Sequence, residues 1–128
     1  MRVLIVDDDV GILHTLMTGL TSCGFQVISA KDGYQALSFI ESSKKDPVPV
    51  ALMVTDLKMP GIDGIDLIKK AKALSPGLLV VLITAYGDDK VRNEVKELDD
   101  CVYLEKPFTP NELLEVIKDV VEQNEGEH

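Results

Sequence analysis

The sequence predicts an α/β domain, a doubly wound sheet of five parallel strands with five helices packed around it. Three observations predict this. Short runs rich in β-branched residues alternate with helical patterns along the whole chain, which is the order that builds a parallel sheet. Three of the five runs are apolar nearly throughout, as strands covered on both faces must be. The length, 128 residues, suits one compact domain with a single core.

Each element has its own signal. The first strand, Val3 to Val6, leads to a helix whose Val10, Leu13, Leu16, Met17 and Leu20 recur at i, i+3, i+4 and i+7 on one face. Phe25 to Ala30 is the second strand. In Asp32-Gly33-Tyr34-Gln35, the aspartate caps a second helix, the glutamine is placed to reach back to the cap, and Ala36, Leu37 and Ile40 turn inward. Ser42 to Pro49 is the polar, proline-bearing loop. Ala51 to Thr55, Gly64 to Leu74, Leu78 to Thr84 and Asp88 to Leu98 supply the third strand and helix and the fourth strand and helix, the fourth helix with the fewest apolar positions. Cys101 to Glu105 is the fifth strand. Thr109-Pro110-Asn111-Glu112 is a capping box with proline at the first helical position, opening a fifth helix with Leu113, Leu114, Ile117, Val120 and Val121 as its core stripe. The domain is expected to occupy residues 1–122, and the acidic tail 123–128 to be disordered.

Composition narrows the function classes. With 45% hydrophobic and 27% charged residues the chain has the make-up of a globular protein. Acidic residues outnumber basic ones 22 to 13, so a net charge of −9 would repel a phosphate backbone, and direct nucleic-acid binding is not expected. The longest apolar stretch, Leu78 to Ile83, falls far short of the roughly 20 residues that cross a bilayer. Asp7-Asp8-Asp9 interrupts the opening Met-Arg-Val-Leu-Ile-Val before the apolar core of a secretion signal can form, so the cytoplasm is the expected location. Cys23 and Cys101 form no metal-binding spacing and read as two free thiols.

In an open parallel sheet, functional groups gather beyond the carboxyl ends of the strands. Asp7 and Asp8 follow the first strand, Asp56 the third and Lys106 the fifth, while Thr84 ends the fourth. If the first and third strands are neighbours, Asp7, Asp8 and Asp56 converge in one cleft that Thr84 and Lys106 close. Carboxylates so placed repel one another unless a cation joins them. With no histidine or thiol in the cluster, magnesium suits best: it is a hard cation that takes carboxylates, waters and phosphate oxygens. A lysine and a hydroxyl beside it make an anion pocket, and an aspartate in that pocket can act as a nucleophile that forms an acyl phosphate.

Val6-Asp7-Asp8, Thr55-Asp56-Leu57-Lys58-Met59-Pro60-Gly61, Thr84-Ala85 and Tyr103-Leu104-Glu105-Lys106-Pro107-Phe108, in this order and spacing, resemble the receiver domain of two-component response regulators over nearly the whole chain. That resemblance implies a flavodoxin-like, three-layer fold with strand order 2-1-3-4-5. It implies that Asp56 accepts a phosphoryl group from a sensor histidine kinase or a histidine phosphotransfer protein. Mg²⁺, for which Mn²⁺ can substitute, would be held by the side chains of Asp8 and Asp56, by Asp7 through water and by the Lys58 backbone carbonyl. Lys106 would pair with the phosphoryl oxygens, the Lys106-Pro107 bond would be cis, and Thr84 and Tyr103 would form the conformational readout. Output is then expected on the surface of the fourth helix, fifth strand and fifth helix, toward a fused or separate output domain or a second phosphorylated copy. Lys58 and Tyr86 fall where family members differ and phosphoryl lifetime is tuned. The chain fits a stand-alone shuttle, a part of a transcription regulator, or the receiver of a hybrid kinase.

Plainer readings stand beside these. Asp7-Asp8-Asp9 also suits a helix N-terminus, and Asp9 is expected to do only that. Thr84 has a plainer reading as a strand-end threonine, Tyr103 as a half-buried core ring and Lys106 as a solvated loop residue, each kept as an alternative to the site reading. His14 is expected on the surface and Met53 in the core. Two other functions compete. A magnesium-dependent aspartyl-phosphate phosphohydrolase would need a second acid near its nucleophile, but the residue two beyond Asp56 is Lys58. A flavin mononucleotide carrier would need a neutral phosphate loop where Asp7-Asp8-Asp9 stands. The expectation is a switch that catalyses only its own phosphotransfer and dephosphorylation.

Overall fold

The computed structural model describes residues 1–7, 10–58, 61–84, 89–98 and 100–126, excepting the side chains of 10, 12, 13 and 124–126. Strands β1 (Arg2–Val6), β2 (Gln26–Ala30), β3 (Val50–Asp56), β4 (Leu79–Thr84) and β5 (Cys101–Glu105) alternate with helices α1 (Val10–Ser22), α2 (Gly33–Ser43), α3 (Gly64–Leu74), α4 (Asp89–Lys96) and α5 (Pro110–Gly126). Every strand pairing is parallel and the order is β2-β1-β3-β4-β5. This is the doubly wound α/β sheet expected. The chain moves outward from β1 to β2, returns past β1 to β3 and continues to β5, so connections diverge between β1 and β3, where such sheets bind their ligands.

Alternation along the strands splits the core into two layers. Leu4, Val6, Met53, Val80 and Leu82 pack with Ala36, Ile40, Leu67, Ile68, Val91 and Val95 of α2, α3 and α4. Val3, Ile5, Leu52, Val54, Val81 and Ile83 pack with Leu16, Leu20, Leu113 and Ile117 of α1 and α5. Because helices cover both faces, every residue of β4 is buried, which explains its unbroken apolar run. Complete burial of a side chain such as Leu52 or Leu82 stabilises by about 1.5–3 kcal/mol. Met53 is core, and His14 is on the surface, as expected. Among the described residues no helix is long and apolar enough to cross a membrane.

Helix ends agree with the sequence, with corrections. α1 closes on Gly24 at φ +92, where the Gly24 and Phe25 N–H groups donate to the carbonyls of Thr21 and Leu20, a Schellman arrangement that needs a left-handed residue. Phe25 is spent on that cap, so β2 starts at Gln26. Asp32 accepts from the Gln35 N–H at 2.7 Å, but the Gln35 side chain accepts from the Lys31 N–H rather than from the cap residue. At α5 the box is reciprocal: the Glu112 N–H donates to the Thr109 hydroxyl at 3.1 Å and the Thr109 N–H to the Glu112 carboxylate at 3.4 Å. α5 runs on to Gly126, so residues 123–126, expected to be disordered, are helical. Nothing before Gly126 in that segment breaks a helix. The end residues 127–128, Asp9, Asp88 and the side chains of Val10 and Leu13 lie outside the described residues.

Both cysteines are free, Cys23 exposed and Cys101 partly buried. Burial pushes the Cys101 thiol from 9.0 up to about 11, with Lys72 pulling weakly the other way. Since the thiolate is the reactive form, a disulfide reagent at pH 8 should modify Cys23 rapidly and Cys101 only after unfolding. Two fast equivalents would contradict this. The neutral Cys101 thiol favours the folded state, a contribution present below pH 9 and lost as pH rises through about 11.

Candidate functional site

Strand register places the acids. Val6 pairs with Thr55, so Asp7, one residue beyond β1, lies beside Asp56, the last residue of β3. Asp7 is 3% exposed, and its N–H donates to the Ala30 carbonyl at the end of β2, 3.1 Å away. The expected strand end, Thr55, is one residue short: Asp56 still pairs with Ile83, and the next N–H, from Leu57, also donates to the Ile83 carbonyl. The nucleophile candidate is thus fixed by the sheet rather than by a loop.

Lys106 reaches the same point from the far side of β4. Its N–H donates to the Thr84 carbonyl at 2.8 Å, extending the pairing of Thr84 with Glu105. Adjacent strands lie about 4.8 Å apart, so only a long side chain spans β4, and the Lys106 Nζ lies 2.8 Å from Asp56 Oδ2. The Lys58 N–H donates to Asp56 Oδ1 at 3.3 Å. Both carboxylate oxygens therefore have a partner. The Asp56 side chain is 13% exposed and that of Lys106 43%, so the acid is sheltered while its cation remains in contact with water. The Lys106-Pro107 bond is cis.

Thr84 is buried, and its Oγ1 has no hydrogen-bond partner among the described residues. A buried hydroxyl left unpaired is costly, and a ligand oxygen at the rim would relieve it. Tyr103 packs partly buried against the α2-α3-α4 side of the core, with the Arg92 guanidinium 5.6 Å from the ring centroid.

Of the residues expected at the site, Asp7, Asp56, Lys58, Thr84 and Lys106 come together at one rim and Tyr103 lies on β5 beside it. Asp8, Met59, Pro60 and Tyr86 lie outside the described residues. Among the described residues no three acidic, histidine or cysteine side chains are placed to hold a metal ion. The donors that are described, two sheltered carboxylates and backbone oxygens, are all oxygen and suit a hard cation such as Mg²⁺. Sequence reasoning missed two residues here. Gly64 opens α3 where a Cβ would lie 2.8 Å from both the Asp56 carbonyl oxygen and the Leu57 Cα, so its bare backbone lets α3 seat against the strand tip. The signal was a glycine at the first helical position. The other is Arg92, for which the sequence offers no signal.

The family pattern described as the response regulator receiver domain matches residues 3–118. The chain belongs to that family. As a receiver domain of two-component systems it takes part in phosphoryl-accepting signalling. It is 34% identical over 117 residues to sporulation initiation phosphotransferase F of Bacillus subtilis (strain 168), covering 91% of this chain and 90% of that protein. It is 32% identical over 123 residues to the transcriptional regulatory protein GlrR of Escherichia coli (strain K12), covering 96% of this receiver domain but 27% of GlrR. This chain thus spans about a quarter of GlrR and half of the Bacillus subtilis alkaline phosphatase synthesis regulator PhoP. The receiver domain protein (CheY-like) of Methanospirillum hungatei JF-1 superposes with a TM-score of 0.87 at 31% identity, covering 99% of this chain and 98% of that one.

Proposed function

We propose that this receiver domain is a phosphorylation-dependent switch in which Asp56 takes a phosphoryl group from a phosphohistidine of a sensor kinase or phosphotransfer protein. The observation that carries the reading is the 2.8 Å pair between Lys106 Nζ and Asp56 Oδ2 across β4. A carboxylate oxygen of Asp56 attacks phosphorus, the P–N bond breaks, and the leaving imidazole nitrogen keeps its electron pair and takes a proton from water. Lys106 follows the charge from the carboxylate to the phosphoryl oxygens. The Thr84 hydroxyl, unpaired among the described residues, donates to one of those oxygens.

Mg²⁺ would be held by Asp8, Asp56, the Lys58 carbonyl and, through water, Asp7, and would neutralise the charge gathering on the phosphoryl oxygens; Mn²⁺ can serve in its place. The phosphoryl group adds roughly −1.5 to −2 charge and three acceptor oxygens. Drawing Thr84 toward it frees space for the Tyr103 ring to rotate, and α4, β5 and α5 present the result to a fused or separate output domain or to a second phosphorylated copy. The domain works in the cytoplasm, binds no nucleic acid directly, and turns over no external substrate.

The test is intact-mass analysis after incubation with acetyl phosphate. The protein should gain one phosphoryl group with Mg²⁺ and none with a chelator, peptide mapping should place it on Asp56, and a generic phosphomonoester should not be hydrolysed. A phosphoryl group on another residue, or gain at the same rate without Mg²⁺, would overturn the reading.

A further inference from the structure

Arg92 of α4 is not one of the residues gathered at the rim, yet among the described residues it holds three partners. Its guanidinium lies over the Tyr103 ring, Nη2 pairs with Glu105 on β5, and Nη1 pairs with Asp89 in the first turn of α4 at 3.3 Å. Side-chain exposure is 28% for Arg92 and 21% for Glu105 but 83% for Asp89. The contact with the strand is therefore the sheltered one, and the contact within the helix is largely solvated. Tyr103 and Glu105 stand two apart on β5 and share a face, so one planar group spans both. Lysine could not do this, since it lacks the rigid fork of donors.

Arg92 Nε is buried without a hydrogen-bond partner among the described residues, as is Thr84 Oγ1. Thr84 is also the strand partner of Glu105. The two unsatisfied polar atoms thus belong to side chains that border the same stretch of β5. Any inward turn of Tyr103 must slide the ring from beneath the guanidinium, and any shift of the start of α4 relative to β5 must pull Arg92 off Glu105.

We infer that Arg92 is a clasp that fastens α4 to β5 in the resting conformation and opposes the switch, a role that rests on the receiver reading above. Loosening it raises the population of the conformation that accepts a phosphoryl group. Apparent affinity for a phosphoryl mimic scales with that population.

The experiment titrates beryllofluoride, a tetrahedral mimic of a phosphoryl group on a carboxylate, with Mg²⁺ into wild type, Arg92→Gln, Glu105→Gln, the double variant and Arg92→Lys. Each glutamine variant should bind about three- to tenfold more tightly than wild type, and the double variant no more tightly than the better single one, because both remove the same contact. Arg92→Lys, which keeps the charge but not the fork, should fall between Arg92→Gln and wild type. A purely structural role for Arg92 would lower the melting temperature without tightening binding, and that result would overturn the clasp. Failure of the wild type to bind beryllofluoride would overturn the phosphoacceptor reading itself, and the clasp with it.

Discussion

Asp56→Asn should take up no phosphoryl group from acetyl phosphate, and Lys106→Met should take it up about 10²-fold more slowly than wild type. Asparagine matches aspartate in shape but lacks the anionic oxygen that attacks phosphorus. Lys106→Met keeps the length and the apolar stem that cross β4 and removes only the cation 2.8 Å from Asp56 Oδ2. A donor aimed at developing charge in a sheltered site typically contributes 10²–10³ in rate. The Lys106 side chain is 43% exposed, so the ion pair adds little to stability, and both variants should melt close to the wild type. Time-resolved intact mass read beside the melting curves then separates chemistry from folding. Uptake by Lys106→Met at the wild-type rate would reduce Lys106 to a surface partner of the aspartate.

The parts of this site that could be read from the sequence are those set by local patterns. An apolar run ending in Thr55-Asp56 marks a strand tip, and the rule that chemistry gathers at carboxyl ends did the rest. What could not be read depends on contacts between elements. That Asp56 still pairs with Ile83 is a matter of register between β3 and β4, and the reach of Lys106 over β4 depends on strand order. The Gln35 side chain turns to Lys31 rather than to its own cap, a choice between two adjacent N–H groups that spacing alone does not decide. Arg92 is the extreme case. It sits in an eight-residue helix of mostly charged residues, where an arginine reads as solvated, and only the packing of α4 on β5 places it over Tyr103. The acidic tail misled for the opposite reason: its composition suggested disorder, but its residues are adequate helix formers and α5 had already been nucleated.

The placement of Asp56 by a strand tip makes the largest stability effect fall on a residue with no side chain. Gly64→Ala should destabilise by about 2–3 kcal/mol and slow phosphoryl uptake together. The new methyl would lie 2.8 Å from the Asp56 carbonyl oxygen, 2.8 Å from the Leu57 Cα and 3.1 Å from Leu82 Cδ1. Two of these are backbone atoms of the segment that presents the nucleophile, and they cannot turn aside. Either α3 lifts, losing the 2.8 Å hydrogen bond from the Gly64 N–H to the Leu57 carbonyl, or the tip of β3 moves and takes Asp56 away from Lys106. Gly33 gives the contrast. A Cβ there would lie only 2.0 Å from Ile62 Cγ2, a shorter approach, but the obstacle is a side-chain methyl that moves when Ile62 changes rotamer. Gly33→Ala should therefore cost less than Gly64→Ala in denaturant unfolding and be relieved by Ile62→Ala, whereas Gly64→Ala meets an obstacle that no side-chain truncation removes. If Gly33→Ala proved the more damaging, the tip of β3 would be yielding rather than rigid, and the sheet could not be what holds Asp56 in place for reaction.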